Sequence, residues 1–240
     1  MIRVGTAGWT LYKATEAFPG EGSQLARYAQ VLRCVEINSS FYRAHSTATY
    51  AKWAASTPRR FRFAVKLPQA ITHENHLRRA RRPLTEFLAQ VRGLGLRLGP
   101  LLVQLPPSLV LEPRVAGSFF ALLRDLHDGP VVCEPRHESW FAARAEALLV
   151  AYRIGRVGAD PAPVHGAGRP GGWHGIAYFR LHGSPRKYWS VYDPVRLRHW
   201  AAALETLPHG TDGWCIFDNT AGGGAARNAL EIAGLVGSGK

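Results

Sequence analysis

Lysine is scarce in this chain, standing only at positions 13, 52, 66, 187 and 240, so the 30 basic residues are nearly all arginine. Acidic residues number 17, which leaves a formal net charge of +13. Such a surface favours anionic partners, whether nucleic acid, acidic protein or a phosphorylated molecule, without choosing among them, and it also follows from a genome rich in arginine codons. Cysteine is limited to Cys34, Cys133 and Cys215. They are odd in number, far apart and embedded in apolar runs, with no CxxC or CxxxC spacing. This excludes a disulfide framework and a zinc knuckle and predicts buried thiols in a reducing compartment. No run of about 18 apolar residues could span a bilayer. The start, MIRVGTAGWT, lacks the basic region and apolar stretch of a secretory signal, so a cytoplasmic location is expected. HxH and HExxH are absent, and GTAGW is not GxGxxG, so neither a metal nor a dinucleotide cofactor is indicated.

What is present is a chain 46% hydrophobic, with apolar segments from Ile2 to Val236. At 240 residues it suits one domain, 1–240, of the length an α/β barrel needs, about 250 residues. Short β-rich runs recur at Ile2–Gly5, Cys34–Asn38, Phe61–Leu67, Leu101–Leu105, Val131–Glu134, Ile154–Gly158, Ile176–Leu181 and Cys215–Asp218. Helical periodicity lies between them at Gln24–Arg33, Thr47–Ser56, Pro83–Gly93, Pro113–Leu126, Phe141–Tyr152, Pro194–Leu207 and Ala225–Val236. Pro83 and Pro113 suit a first helical turn, and Asp193 suits an N-cap. The segment from Pro161 to Trp173, rich in glycine and proline, breaks the alternation. The expected fold is α/β, an irregular eight-stranded parallel barrel of TIM type with the helix after strand six missing. An open sheet with helices on both faces is the alternative.

Residues two apart on a strand share a face. Cys34, Glu36 and Asn38 fall together, as do Ala64 and Lys66, Leu102 and Gln104, Val132, Glu134 and Arg136, and Tyr178, Arg180 and His182. The opposite parity is mainly apolar and suits packing on helices. Strand eight is ambiguous, because Asp218 pairs with Ile216 and Asn219 with Phe217. The polar set is expected to point inward at the carboxyl ends, where barrel sites are built. A bland alternative is a self-neutralising plug of Glu36, Lys66, Glu134, Arg136, Arg180 and Asp218, an expensive filling because buried charges lose hydration. Trp9, Phe41, Tyr42, Trp140, Tyr188 and Trp189 flank these tips and could stack on a sugar ring or a base.

These residues fall in motifs that resemble the YecE-like family, the domain of unknown function numbered 72, over nearly the whole chain. They are GTAGW at Gly5–Trp9, EINSSFYR at Glu36–Arg43, FAVKLPQAITH at Phe63–His73, LGPLLVQLPPS at Leu98–Ser108, EPRHESW at Glu134–Trp140, GADP at Gly158–Pro161, YFRLHG at Tyr178–Gly183 and FDNTAGGGAARNAL at Phe217–Leu230. The resemblance implies a TIM-barrel-like fold and a pocket formed by these motifs, and it implies no settled reaction. The chain departs from the family pattern at Asp218, where asparagine is usual, and is short between strands six and seven.

Three functional readings follow. In the first, an enzyme hydrolyses or isomerises a phosphate-bearing or sugar-like substrate. Glu36, Glu134 and His182 are its candidate acid–base residues, with His73 and His137 as further imidazoles. Trp9, Asn38, Tyr42, Lys66, Gln104, Arg136, His137, Trp140, Arg180, Tyr188, Asp218 and Asn219 are its candidate binding residues. A metal site would need Glu36, Glu134, His182 and Asp218 assembled from separate strands. In the second, a module without catalysis binds nucleic acid through Arg78, Arg79, Arg81 and Arg82, with Arg43, Arg59 and Arg60. In the third, the same pocket only senses a small ligand. Thiol titration of the denatured protein is expected to find three free thiols, and a disulfide would overturn the compartment assignment.

Overall fold

The computed structural model describes residues 1–237, the side chains of Tyr12 and Lys13 excepted. Ten strands run in chain order: β1 (Ile2–Thr6), β2 (Cys34–Ile37), β3 (Arg62–Lys66), β4 (Leu98–Gln104), β5 (Val131–Glu134), β6 (Ile154–Arg156), β7 (Gly158–Asp160), β8 (Gly171–Gly172), β9 (Ile176–Leu181) and β10 (Asp212–Phe217). The α-helices are α1 (Gln24–Val31), α2 (Thr47–Ala55), α3 (Arg81–Val91), α4 (Pro113–Leu126), α5 (Ala143–Ala151), α6 (Pro194–Glu205) and α7 (Ala225–Gly237). Each expected helix is found, with ends shifted by up to two residues. In α4 the buried set includes Ala116, Phe119, Phe120 and Leu123, one face at helical spacing. Side-chain caps start several helices. Ser23 accepts from the Ala26 amide, Ser46 from the Thr49 amide and Asp193 from the Arg196 amide, each satisfying a donor the first turn leaves open.

The strands form two sheets, ordered β1-β10-β9-β7 and β2-β3-β4-β5-β6-β8. All pairings are parallel except β6 with β8. The expectation of eight all-parallel strands is therefore corrected to a mixed arrangement of four and six. The sixth expected strand changes partners at Val157, whose amide donates to the Cys133 carbonyl. Before it β6 pairs with β5, and after it β7 pairs with β9. Residues 161–170 carry no helix, and β8 follows, folding back on β6. Among the described residues, no helix is long and apolar enough to cross a membrane.

Strand parity sorts the core into two clusters. Val35, Phe63, Val65, Leu101, Val103, Cys133, Phe179 and Phe217 join the large cluster that packs against the helices. Cys34, Ala64, Leu102, Val132, Val157, Ile176, Tyr178, Trp214 and Ile216 form a second cluster drawn from both sheets. Ile216 in this inner cluster settles the ambiguous strand, since Asp218 shares its parity. All three cysteines are buried free thiols.

The two sheets meet at β1 and β2 through little more than a bridge between Ala7 and Glu36, with the Gly8 amide donating to the Glu36 carbonyl at 2.8 Å. Gly5 makes that approach workable, because a Cβ there would lie 2.2 Å from the Cys34 carbonyl oxygen and 2.9 Å from its sulfur. Gly5→Ala is expected to destabilise the protein by about 2 kcal/mol or more, since the obstacle is backbone that cannot give way. Urea unfolding checks this, and an unchanged midpoint would refute the seam.

Candidate functional site

The polar residues at the carboxyl ends of β2, β5 and β9, with Asp218 just beyond β10, converge on Arg180. Its Nη2 donates to Glu36 Oε1 at 2.7 Å and to Asp218 Oδ2 at 3.0 Å. Its Nε donates to Glu36 Oε2 at 3.0 Å and its Nη1 to Glu134 Oε2 at 2.6 Å. Four of the five guanidinium donors are thus committed to three carboxylates. Tyr178, two residues earlier on the same strand face, adds its hydroxyl to Glu36 at 2.8 Å. Arg180 is 1% exposed and Glu36 fully buried. Glu36, Glu134, Asp218 and His182 are thus drawn together around a guanidinium, and among the described residues no group of them is arranged to hold a metal ion.

His182 lies between two carboxylates, with Nδ1 3.0 Å from Asp218 and Nε2 2.9 Å from Glu134. Burial works against a charged imidazole, but the Glu134 charge and the two hydrogen bonds outweigh it and raise His182 above its ordinary value. When protonated, the imidazole donates through both nitrogens. Burial would likewise raise Glu134, yet Arg180, His182 and Arg136 hold it well below the usual carboxylate range. Asp218 is lowered against the same burial by Arg180 and His182. Arg136 reaches Glu134 Oε1 at 3.3 Å. All three carboxylates are bonded to Arg180, and Arg136 and His182 add contacts to Glu134 and Asp218.

Lys66 is a further cation at this site. Its ammonium sits 3.9 Å from the centre of the Phe41 ring and, among the described residues, makes no hydrogen bond or ion pair. Burial, then the nearby Arg180, brings it down to about 8 against the pull of Glu36, Glu134 and Asp218. Lys66 borders a cavity of about 360 Å³ together with Asn38, Tyr42, Arg136, Arg180, Tyr188, Trp189, Asp218, Thr220 and Ala221. His73, packed edge-on against Phe41, is held neutral with a value of about 4 by burial and by the charges of Lys66, Arg136 and His76.

Of the residues expected from sequence, Asn38, Tyr42, Lys66, Arg136, Arg180, Tyr188 and Asp218 border the cavity, while Glu36, Glu134 and His182 form the lattice beneath it. Gln104 is buried and donates to the Leu105 carbonyl. The structure places the others elsewhere. Trp140 is buried in the helix-side core with its indole nitrogen donating to the Leu109 carbonyl. Trp9 packs edge-on against Trp53, and His137 accepts from the Ser139 amide to start a short turn. Asn219 donates to the Ser190 carbonyl and to Asn228 of α7. Trp189, expected among the aromatic residues flanking the strand tips, borders the cavity. Thr220, Ala221 and Tyr178 were not among the expected residues, and of these only Tyr178 carried a signal, its shared parity with Arg180.

Folded-state protonation sets a pH window. The lowered Glu134 and Asp218 contribute stability above their unfolded values near about 4, and that stability is lost as pH falls through the folded values. The raised His182 contributes fully below about 6.5, and its contribution is lost as pH rises through the folded value. Nitrogen NMR at pH 7 is expected to show both His182 ring nitrogens protonated. A neutral tautomer there would remove the cation from the lattice.

A family model described as "Protein of unknown function DUF72" matches residues 3–240. The UPF0759 protein YecE of Escherichia coli K12 is 31% identical over 151 residues, 60% of this chain, which spans 55% of that relative. The UPF0759 protein YunF of Bacillus subtilis is 23% identical over a match covering 98% of this chain and 95% of its own. Crystal structures of DUF72 family proteins have the same fold: one from Enterococcus faecalis V583 has a TM-score of 0.84 at 20% identity, covering 99% of this chain and 96% of that one. Another, from Thermotoga maritima MSB8, has a TM-score of 0.80 at 24% identity, covering 99% of both. With the family model matching all but the first two residues, the chain belongs to the DUF72 family of proteins of unknown function.

Proposed function

We propose that the cavity binds a small phosphate- or carboxylate-bearing, sugar-like molecule. The observation that carries this reading is the cationic wall: Arg136 and Lys66 both border the opening, and Lys66 makes no hydrogen bond or ion pair among the described residues, so its charge is left to meet an entering anion. An anion entering there meets Arg136 and Lys66 in a partly desolvated place, where charge-assisted hydrogen bonds count most. Exposed aromatic residues at the mouth support a ring-shaped, hydroxylated body. Tyr42 is 72% and Trp189 49% exposed, which leaves ring surface open at the mouth for stacking.

In this reading the two sheets are the two arcs of one eight-staved barrel. Support comes from the continuity of residues 154–160 through both sheets and from the Ala7–Glu36 bridge on the other side. Barrel sites lie at the carboxyl ends of strands, where this cavity is. Glu36 and Glu134 anchor Arg180 and His182 in place of transferring protons, since their oxygens are committed to donors and Glu134 stays ionised near neutrality. The arginine-rich surface carries less of the argument: Arg78 is paired with Glu112 and Arg82 with Glu86, and Arg59 and Arg60 precede β3 whereas Arg78 to Arg82 follow it.

Calorimetric titration with inorganic phosphate and with ribose 5-phosphate tests the reading. Arg136→Met is expected to weaken binding of both by about tenfold or more, the worth of one charged hydrogen bond, with little change in melting. Glu36→Gln is expected instead to cost stability, on the order of 3 kcal/mol, by breaking the buried lattice. Wild-type protein that binds neither probe would sink the proposal.

A further inference from the structure

We propose that Lys66 is a nucleophile that forms an imine with the carbonyl carbon of a small phosphate-bearing aldehyde or ketone. The inference rests on the anion-pocket reading and names its substrate class. Most buried lysines are spent on a carboxylate; this one is not. Lys66 is 7% exposed, its ammonium rests over the Phe41 ring, and no carboxylate or hydrogen-bond acceptor holds it among the described residues. The residue nevertheless borders the open cavity, so the amine can meet a ligand.

The neighbours fit the chemistry. Arg136, 17% exposed in its side chain, borders the same cavity and can take the anionic end of a substrate while Lys66 meets the carbonyl. Burial first and then the positive charge of Arg180 disfavour the charged form against the pull of Glu36, Glu134 and Asp218, and these are the two means by which lysine is activated as a nucleophile. With a value of about 8, roughly one Lys66 in ten is the neutral amine at pH 7, against about one in two thousand for an ordinary lysine.

In the step itself the amine lone pair attacks the carbonyl carbon and the C=O π electrons move to oxygen. The nitrogen then expels that oxygen as water, which carries away both N–H protons of the neutral amine and leaves a C=N bond to Lys66. No oxidant or reductant is consumed. Borohydride added from outside supplies hydride to the imine carbon and fixes it as a stable secondary amine.

The experiment incubates wild-type protein with D-glyceraldehyde 3-phosphate and borohydride and locates the adduct by peptide mass mapping. D-Glyceraldehyde is the uncharged comparison, and phosphate binding is titrated in parallel. Labelling is expected at Lys66 ahead of Lys13, Lys52, Lys187 and Lys240, slower by about tenfold with D-glyceraldehyde, and suppressed by inorganic phosphate. Lys66→Arg, which keeps the cation but cannot form an imine, should lose the adduct and retain phosphate binding. Phosphate binding without a Lys66 adduct would overturn the imine and leave the pocket reading standing. Equal labelling of all lysines, insensitive to phosphate, would also overturn it. Absence of both adduct and phosphate binding would overturn both readings.

Discussion

A guanidinium buried at 1% exposure dictates the arrangement of everything around it. Arg180 remains ionised in protein, so removing it from water has a large cost that must be met by hydrogen-bonded counter-charge. Glu36 from one sheet, Glu134 further along the same sheet, and Asp218 beyond the end of the other supply it. One side chain thereby ties the carboxyl ends of distant strands together, at the end opposite the Arg3–Asp212 ion pair that joins β1 to β10. Lys66 stands outside this set, with no carboxylate bonded to it among the described residues.

Much of this was legible before any coordinates. Alternation along a strand is a consequence of pleating, so Glu36, Lys66, Glu134 and Arg180 could be assigned to one face from spacing alone, and they do share it. The same rule gives nothing once the strand ends. Trp140 and His137 lie beyond Glu134 in a short turn, where the side-chain direction follows local hydrogen bonds to Leu109 and Ser139. Parity left Asp218 and Asn219 on opposite faces without saying which points inward; Asp218 does, and Asn219 reaches α7. The split of the sixth strand was also beyond reach. It depends on a change of hydrogen-bonding partner at Val157, a tertiary event with no marker in residue type.

The wall of the cavity is finished by the loop after β9. Tyr188 has φ of +69°, an unfavourable conformation for a residue with a bulky side chain, and persists because its backbone is held at both ends. Its amide donates to the His182 carbonyl at 2.5 Å, and its carbonyl accepts from Ala221 at 3.0 Å. Further along, Tyr192 is clasped by Asn228, and its hydroxyl joins Asp160 to the Gly183 amide. Asn219 therefore acts on the cavity at a distance, through the Ser190 carbonyl it holds.

The Tyr188 clasp and the Arg180 lattice divide the cavity into two layers of different character. The lower layer is borne on strands, and its members are so interlocked that none can be exchanged without unbalancing the others. The upper layer, Tyr42, Trp189, Thr220 and Ala221, is borne on connecting segments, and Tyr42 and Trp189 project largely into solvent. On the proposed function, charge recognition and shape selection fall to different parts of the chain, so rim residues on connecting segments can change one at a time while the strand-borne charged floor stays as it is.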